Sequence, residues 1–194
     1  MPAFAVSRSQ ELAMALRKSG FNVWFDGMGK KVSKVFLKYP RYLRSSENLR
    51  KALNKINMVH SDHGRKLATQ KADVILTSSG MMDGGPVLNY MNKLKDDKKS
   101  AVILTGYQVP DSNARLLVDK GMLDFYGVHE KISCETVYFD FSAHAGHSEL
   151  IDFARKCGPE KVVLMHSDNR EALVEPLKEF SEVIVPLTGE MLEL

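Results

Sequence analysis

At 194 residues, with 44% hydrophobic and 26% charged residues, the chain can form one good hydrophobic core, or one and a fraction, and its composition fits an ordinary soluble protein. No apolar run approaches the length of a membrane span, and the first residues lack the basic-then-apolar layout of a signal peptide, which points away from a membrane or exported protein. Cys134 and Cys157 show neither CxxC spacing nor a second pair, so reduced thiols in a cytoplasmic protein are expected.

The formal net charge of +3 is unevenly spread. Residues 30–71 hold twelve Lys or Arg against only Glu47 and Asp62, whereas acids outnumber bases from residue 149 onward. One positive lobe suited to a polyanion accounts for this, and so does a lysine-rich solvated surface.

In chain order, residues 2–6 read as a buried strand tail. Ser7 and Gln10 have capping-box spacing for a helix over 8–18 that ends at Gly20. A chain that opens in mid-strand reads as the back part of a larger protein. Residues 21–25 are the next strand, and Asp26-Gly27-Met28-Gly29 a strand-to-helix loop. Residues 30–39 form a basic amphipathic helix that Pro40 stops. Residues 41–55 read as helical and 56–59 as a brief strand. His60, Asp62 and His63 lie in a polar loop with no rigid frame for a metal. The apolar runs 72–77 and 101–105 have the β-branched character of strands covered on both faces. Each empties into a loop and a helix, with Pro86 well placed at the first helical position of 86–94. Around 121–134 the rhythm breaks, and a domain boundary is placed near residue 130. Strand–helix units then resume with 137–141 and 149–156, 161–165 and 169–180, and a last strand over 182–185. This is an α/β pattern with a mainly parallel sheet flanked by helices.

Three loops follow strands, where such sheets place their chemistry. In residues 78–85, glycines let backbone approach a ligand and the next helix would present free N–H groups, a phosphate cradle; a tight turn needing glycine geometry explains the same residues. Met81 and Met82 suit wedges against a base or the core beneath the loop. In residues 106–115, Tyr107 offers a ring, Gln108 an amide, and Asn113 and Arg115 phosphate donors, although a surface salt bridge would also explain Arg115. His144 in a small-residue loop suits a general acid, and His166 ends a strand in the manner of a metal ligand; hydrogen-bonded core histidines are the alternative. Asp168 would orient a histidine or cap a helix, and His147 is given no chemistry.

The stretches Ala3-Phe4-Ala5-Val6, Arg8 with Gln10-Glu11, Thr77-Ser78-Ser79-Gly80-Met81-Met82, Gly84-Gly85-Pro86, Gly106-Tyr107-Gln108, Ser142-Ala143-His144-Ala145-Gly146-His147 and Leu164-Met165-His166 resemble, in this order, the β-CASP branch of the metallo-β-lactamase superfamily. Within it the resemblance is to archaeal homologues of the cleavage and polyadenylation specificity factor nuclease, described as mRNA 3′-end processing factors. It implies a Rossmann-like β-CASP domain over residues 1–130 and the C-terminal segment of a metallo-β-lactamase domain over 131–194. It further implies a zinc-dependent endoribonuclease with two zinc ions in the parent site. His144 would match the second β-CASP motif, which protonates the leaving group, and His166 the third, a zinc ligand. Ser78, Ser79, Gly80, Gly84, Gly85, Tyr107 and Gln108, with Asn113 and Arg115, would line the RNA path. Asp26 is read as a turn residue, because the family's first acidic motif lies upstream of this chain.

The departures from the family pattern are specific. No His-x-His-x-Asp-His occurs, Ser167-Asp168 stands where Gly-Glu or Gly-Asp is usual, and Pro110-Asp111-Ser112-Asn113-Ala114-Arg115 replaces a glycine-containing segment. Weak or absent zinc binding and an inactive isolated chain are therefore expected. Its partners would be single-stranded RNA, the missing metallo-β-lactamase portion and a second copy in a homodimer. The alternative function is a non-catalytic RNA-binding or subunit-pairing module.

Overall fold

A computed structural model describes residues 1–139, 141, 144–167 and 169–192. Ser142, Ala143 and Asp168, which the sequence reading singled out, lie outside them. The chain divides into two compact units, Met1–Phe141 and Ser142–Leu194.

In the first unit the chain runs α1 (Arg8–Leu16), β1 (Val23–Asp26), α2 (Gly29–Lys38), a 3₁₀ turn at Pro40–Tyr42 and α3 (Ser46–Lys55). It continues through β2 (Asn57–Met58), α4 (Asp62–Lys71), β3 (Val74–Thr77), α5 (Pro86–Leu94) and β4 (Ala101–Leu104). Helix α6 (Asn113–Lys120), β5 (Met122–Phe125), β6 (Val128–Lys131) and β7 (Glu135–Tyr138) complete it. Strands β2, β1 and β3 form a parallel sheet in that order, and Pro2 bridges to Thr77 beyond β3. Strand β7 pairs in parallel with β4. The expected mixture of parallel strands and flanking helices is what the chain forms.

Apolar side chains sort into layers as the periodicity requires. Val23, Phe25 and Leu76 from the first sheet pack with Leu12, Ala13 and Ile56. A second cluster gathers Val87, Leu88 and Met91 of α5 with Val102, Leu104, Leu117 and Leu123. Met82 belongs to this cluster and is fully buried, so of the two readings of that methionine the core one holds.

Two local expectations need correction. Ser7 and Gln10 do not form a capping box: Ser7 has φ 63° and makes no side-chain cap, and its carbonyl instead accepts from the N–H of Gln10 and Glu11. The Gln10 amide is buried and reaches across to Gly29 O at 3.1 Å and Ser33 Oγ at 2.9 Å, tying α1 to α2. A buried amide donor must find acceptors, and here they are Ala5 O at 3.1 Å and the two atoms of the neighbouring helix. The break over 121–134 is an antiparallel hairpin, β5 with β6, closed by Tyr126 at φ 58° and Gly127 at φ 94°. Two successive positive φ values give the tight turn whose twist matches the strands.

The second unit contains α7 (His147–Cys157), β8 (Lys161–Val163), a 3₁₀ turn at Arg170–Leu173, α8 (Val174–Lys178) and β9 (Glu182–Ile184), with β8 and β9 parallel. The expected helix over 169–180 is thus split, and its strands are short. Among its described residues only Leu177 is buried.

Candidate functional site

The loops after β3 and β4 are built as one structure. Asn113, the first residue of α6, sends its side-chain amide to Met82 O at 3.0 Å and Asp124 O at 2.8 Å, and its side-chain oxygen accepts from Asp124 N. Its own N–H donates to Asp83 Oδ1 at 2.7 Å, and the next residue's N–H donates to Met81 O at 2.8 Å. The 78–85 loop is therefore fastened to the 106–115 stretch through Asn113. Both amide hydrogens of Asn113 are spent in the fold, so its side chain is not the free phosphate donor that the sequence suggested.

Within the 78–85 loop the glycines differ in cause. A Cβ at Gly80 would lie 2.9 Å from Phe4 N, so close backbone packing demands glycine there. Gly85 has φ +78° and precedes α5. Gly84 faces open space, and no packing contact requires it. Ser78 is buried, its Oγ accepts from Met28 N at 2.9 Å, and the Ser78–Ser79 peptide is cis. Of the two readings of this loop, the start of α5 does not offer the open cradle: Pro86 has no N–H, Val87 N donates to Ser78 O and Leu88 N to Gly85 O, both at 3.3 Å. Among the described residues, the N–H groups of Gly84 and Gly85 have no hydrogen-bond acceptor.

In the second loop Tyr107 is 64% exposed. Gln108 is buried, donates to Gly106 O at 2.7 Å, and leaves its side-chain oxygen without a partner among the described residues. Arg115 is half-exposed and paired with Asp119 one turn on, at 2.9 Å. It borders a cleft of about 490 Å³ whose ionisable walls are Asp83, Asp111, Asp119 and Asp124 against Arg115, Lys120 and His129. Four carboxylates facing two permanent cations make that cleft a poor seat for an anion. Of the two readings of Arg115, the geometry draws the surface ion pair.

The candidate acid and metal ligand lie in the second unit. His144 precedes α7, whose N-terminus is closed by Glu149 accepting from Gly146 N at 2.8 Å. His166 lies just past β8 with φ 62°, and both imidazoles are on exposed residues. They are not core histidines. His147 starts α7, with Nε2 3.0 Å from Ala172 O. Zinc requires about four donors in a closed site or three and a water in an open one. Among the described residues no group of three or more His, Cys, Asp or Glu gathers, so these residues do not by themselves make a zinc shell.

One functional-looking residue escaped the sequence reading. Asp26, expected in a turn, ends β1 and is 1% exposed. Its carboxylate accepts from Arg65 Nε at 2.8 Å, Lys30 Nζ at 3.0 Å, Tyr90 OH at 3.1 Å and Gly27 N at 2.7 Å. Burial raises its pKa, but the Arg65 hydrogen bond, then those from Lys30 and Gly27, outweigh burial and hold it below the usual carboxylate value. The same carboxylate, after burial, pushes the Tyr90 phenol up. Lys30 also donates to Val59 O. This network organises the C-terminal edge of the sheet. Only the pairing of Asp26 with a lysine four residues on hinted at it in sequence; Arg65 and Tyr90 arrive from other helices.

Comparison with known proteins fits this architecture. A model described as the Beta-Casp domain matches residues 9–117, and one described as the Zn-dependent metallo-hydrolase RNA specificity domain matches residues 130–186. Over its full length the chain is 33% identical to Probable RNase MJ4 of Methanocaldococcus jannaschii and 35% identical to RNase aCSPSF2 of Saccharolobus solfataricus. Across 88% of the chain it is 30% identical to Transcription termination factor FttA of Methanosarcina mazei. It spans 47%, 40% and 31% of those three proteins, less than half of each.

Proposed function

Because this chain belongs to the β-CASP branch of the metallo-β-lactamase superfamily, we propose that it is the β-CASP and C-terminal part of a zinc-dependent endoribonuclease that acts on single-stranded RNA in cytoplasmic mRNA 3′-end processing or decay. In this reading residues 1–130 are the β-CASP domain and 131–194 a segment of the metallo-β-lactamase domain. The observation that carries it is the fastening of the two strand-end loops by Asn113, which makes one surface out of most of the proposed RNA contacts.

On that surface Tyr107 stacks on a base, and Gln108, whose side-chain oxygen is buried, shapes the loop from beneath. The N–H groups of Gly84 and Gly85 face phosphate oxygens. Ser78, Ser79 and Gly80 set the loop's shape, Asn113 holds it, and Arg115 lies at its rim. His144 protonates the departing ribose oxygen, a role typically worth about 10²–10⁴-fold. His166 supplies one ligand to a pair of zinc ions, whose remaining ligands come from the metallo-β-lactamase portion. The chain alone then binds zinc weakly and cleaves nothing.

Zinc-dependent cleavage of an end-labelled single-stranded RNA is the test. The chain alone should be inactive. Adding the metallo-β-lactamase portion of a relative such as Probable RNase MJ4 should restore cleavage, and His144→Ala should lower it by about 10²–10⁴. Zinc-dependent cleavage by the isolated chain, abolished by His166→Ala, would show that it needs no further ligands.

A second reading, a module that binds RNA or pairs with another subunit without catalysis, is favoured by the second unit. Phe153 is 68% and Met165 71% exposed there, apolar side chains that further polypeptide or a second copy would cover in a homodimer. No helix among the described residues is long and apolar enough to cross a membrane. Light scattering decides pairing: a strict monomer whose Phe153→Ser variant behaves identically argues against it.

A further inference from the structure

The twelve cations of residues 30–71 do not form a uniform positive lobe. Lys30 and Arg65 are committed to Asp26, Lys51 pairs with Glu47, and Lys55 donates to Arg17 O. Of the eight that remain, Arg50 lies on α3 and Lys66 and Lys71 on α4, and the other five follow one another along α2, the 3₁₀ turn after it and the residues just beyond. Lys31, Lys34 and Lys38 are exposed at i, i+3 and i+7, a spacing that places all three on one face. Ser33 is buried on the opposite face, and Phe36 is half-buried. The line of lysines runs about 10 Å along the helix. Arg41 and Arg44 extend it, and none of these five cations has a salt-bridge partner among the described residues.

Two aromatic rings alternate with the arginines. Tyr39 is 59% and Tyr42 85% exposed, although burial would be the ordinary place for so much apolar ring. Cations that track a backbone, interleaved with open ring faces, match the chemistry of single-stranded nucleic acid, whose phosphates and bases need both. An anionic lipid surface would call for an exposed apolar face, but α2 shows solvent only Val35 on this stripe. An acidic protein would use the cations without requiring the rings.

We propose that α2 and the turn at Pro40–Tyr42 form a second RNA-binding surface, distinct from the strand-end loops, that holds a single-stranded segment by phosphate contacts to Lys31, Lys34, Lys38, Arg41 and Arg44 and by base stacking on Tyr39 and Tyr42. The surface takes its ligand class from the ribonuclease reading. It would hold a substrate strand that extends beyond the strand-end loops.

The experiment is fluorescence anisotropy of the whole chain with labelled oligo(A), across a salt series, beside labelled heparin as a polyanion without bases. Lys31→Gln, Lys34→Gln and Lys38→Gln together should flatten the plot of log affinity against log salt by about 2, at roughly 0.7 per single-strand phosphate contact. Tyr39→Ala and Tyr42→Ala should each weaken oligo(A) about tenfold, leaving the salt slope and heparin binding unchanged. All five positions are exposed, and unchanged Trp24 fluorescence checks the fold. Wild-type RNA binding that none of these variants alters would overturn this surface and leave the ribonuclease reading standing. Tyrosine variants that weaken heparin and oligo(A) equally would overturn stacking. No RNA binding by the wild-type chain would overturn both.

Discussion

Replacing Asp26 by asparagine keeps the shape of the side chain on which β1, α2, α4 and α5 converge, and removes its charge. Asp26 is 1% exposed, whereas the Lys30 and Arg65 side chains are 18% and 29% exposed. Breaking a buried ion pair by deleting one partner costs about 3–5 kcal/mol; water reaches both cations here, which puts Asp26→Asn near the lower end, about 3 kcal/mol at neutral pH. The single tryptophan, Trp24, lies two residues away in the same strand, so its fluorescence reports unfolding of this unit directly. With a urea slope of about 2 kcal/mol per molar, the midpoint should fall by about 1.5 M with the slope unchanged. The pH arm is independent. The folded-state pKa of Asp26 is lowered, so its stabilisation is complete above the unfolded value near 3.9 and is lost as pH falls through the folded value below it. The gap between wild type and Asp26→Asn should therefore stay constant from pH 7 to about 5 and close at lower pH. A midpoint shift below about 0.3 M, or a gap that persists unchanged to pH 3, would refute the assignment.

Other substitutions separate fold from site. Gly27→Ala places a Cβ 2.1 Å from Ser78 Oγ at φ +88°, so urea melts should show a loss of at least about 2 kcal/mol. Asn113→Ala removes the fastener of both loops and leaves buried carbonyls unpaired, for a loss of about 3 kcal/mol in the same assay. Gly84→Ala meets open space and should leave the unfolding free energy in urea within about 0.5 kcal/mol of wild type while weakening RNA binding in anisotropy titrations; the opposite pattern would make that glycine structural.

Much of the architecture was legible because it is local. The β-branched run ending at Thr77 and the proline at 86 mark a strand and a helix start by their own chemistry, and both formed as read. Long-range polar geometry was not legible. Gln10 has the spacing of a cap partner, yet its amide is claimed by Ser33, which no sequence window relates to it. Asp26 reads as a turn residue, and the partners that make it the centre of a network, Arg65 and Tyr90, are distant in the chain. The hairpin over 122–131 was hidden because its turn is Tyr126-Gly127 rather than the usual Asn-Gly. At the site, residue type suggested ligand contact for Gly80 and Asn113, and packing accounts for both. Only three-dimensional packing distinguishes a glycine required by a neighbour from one facing open space.

We propose that His144 and His166 both meet single-stranded RNA. Labelling the six histidines and following their ring proton–carbon resonances through a titration with single-stranded RNA tests it most directly. The resonances of His144 and His166 should move together along one binding curve, while His129, beside the acidic cleft, stays in place. Movement of His129 with His144 and His166 unmoved would contradict the account.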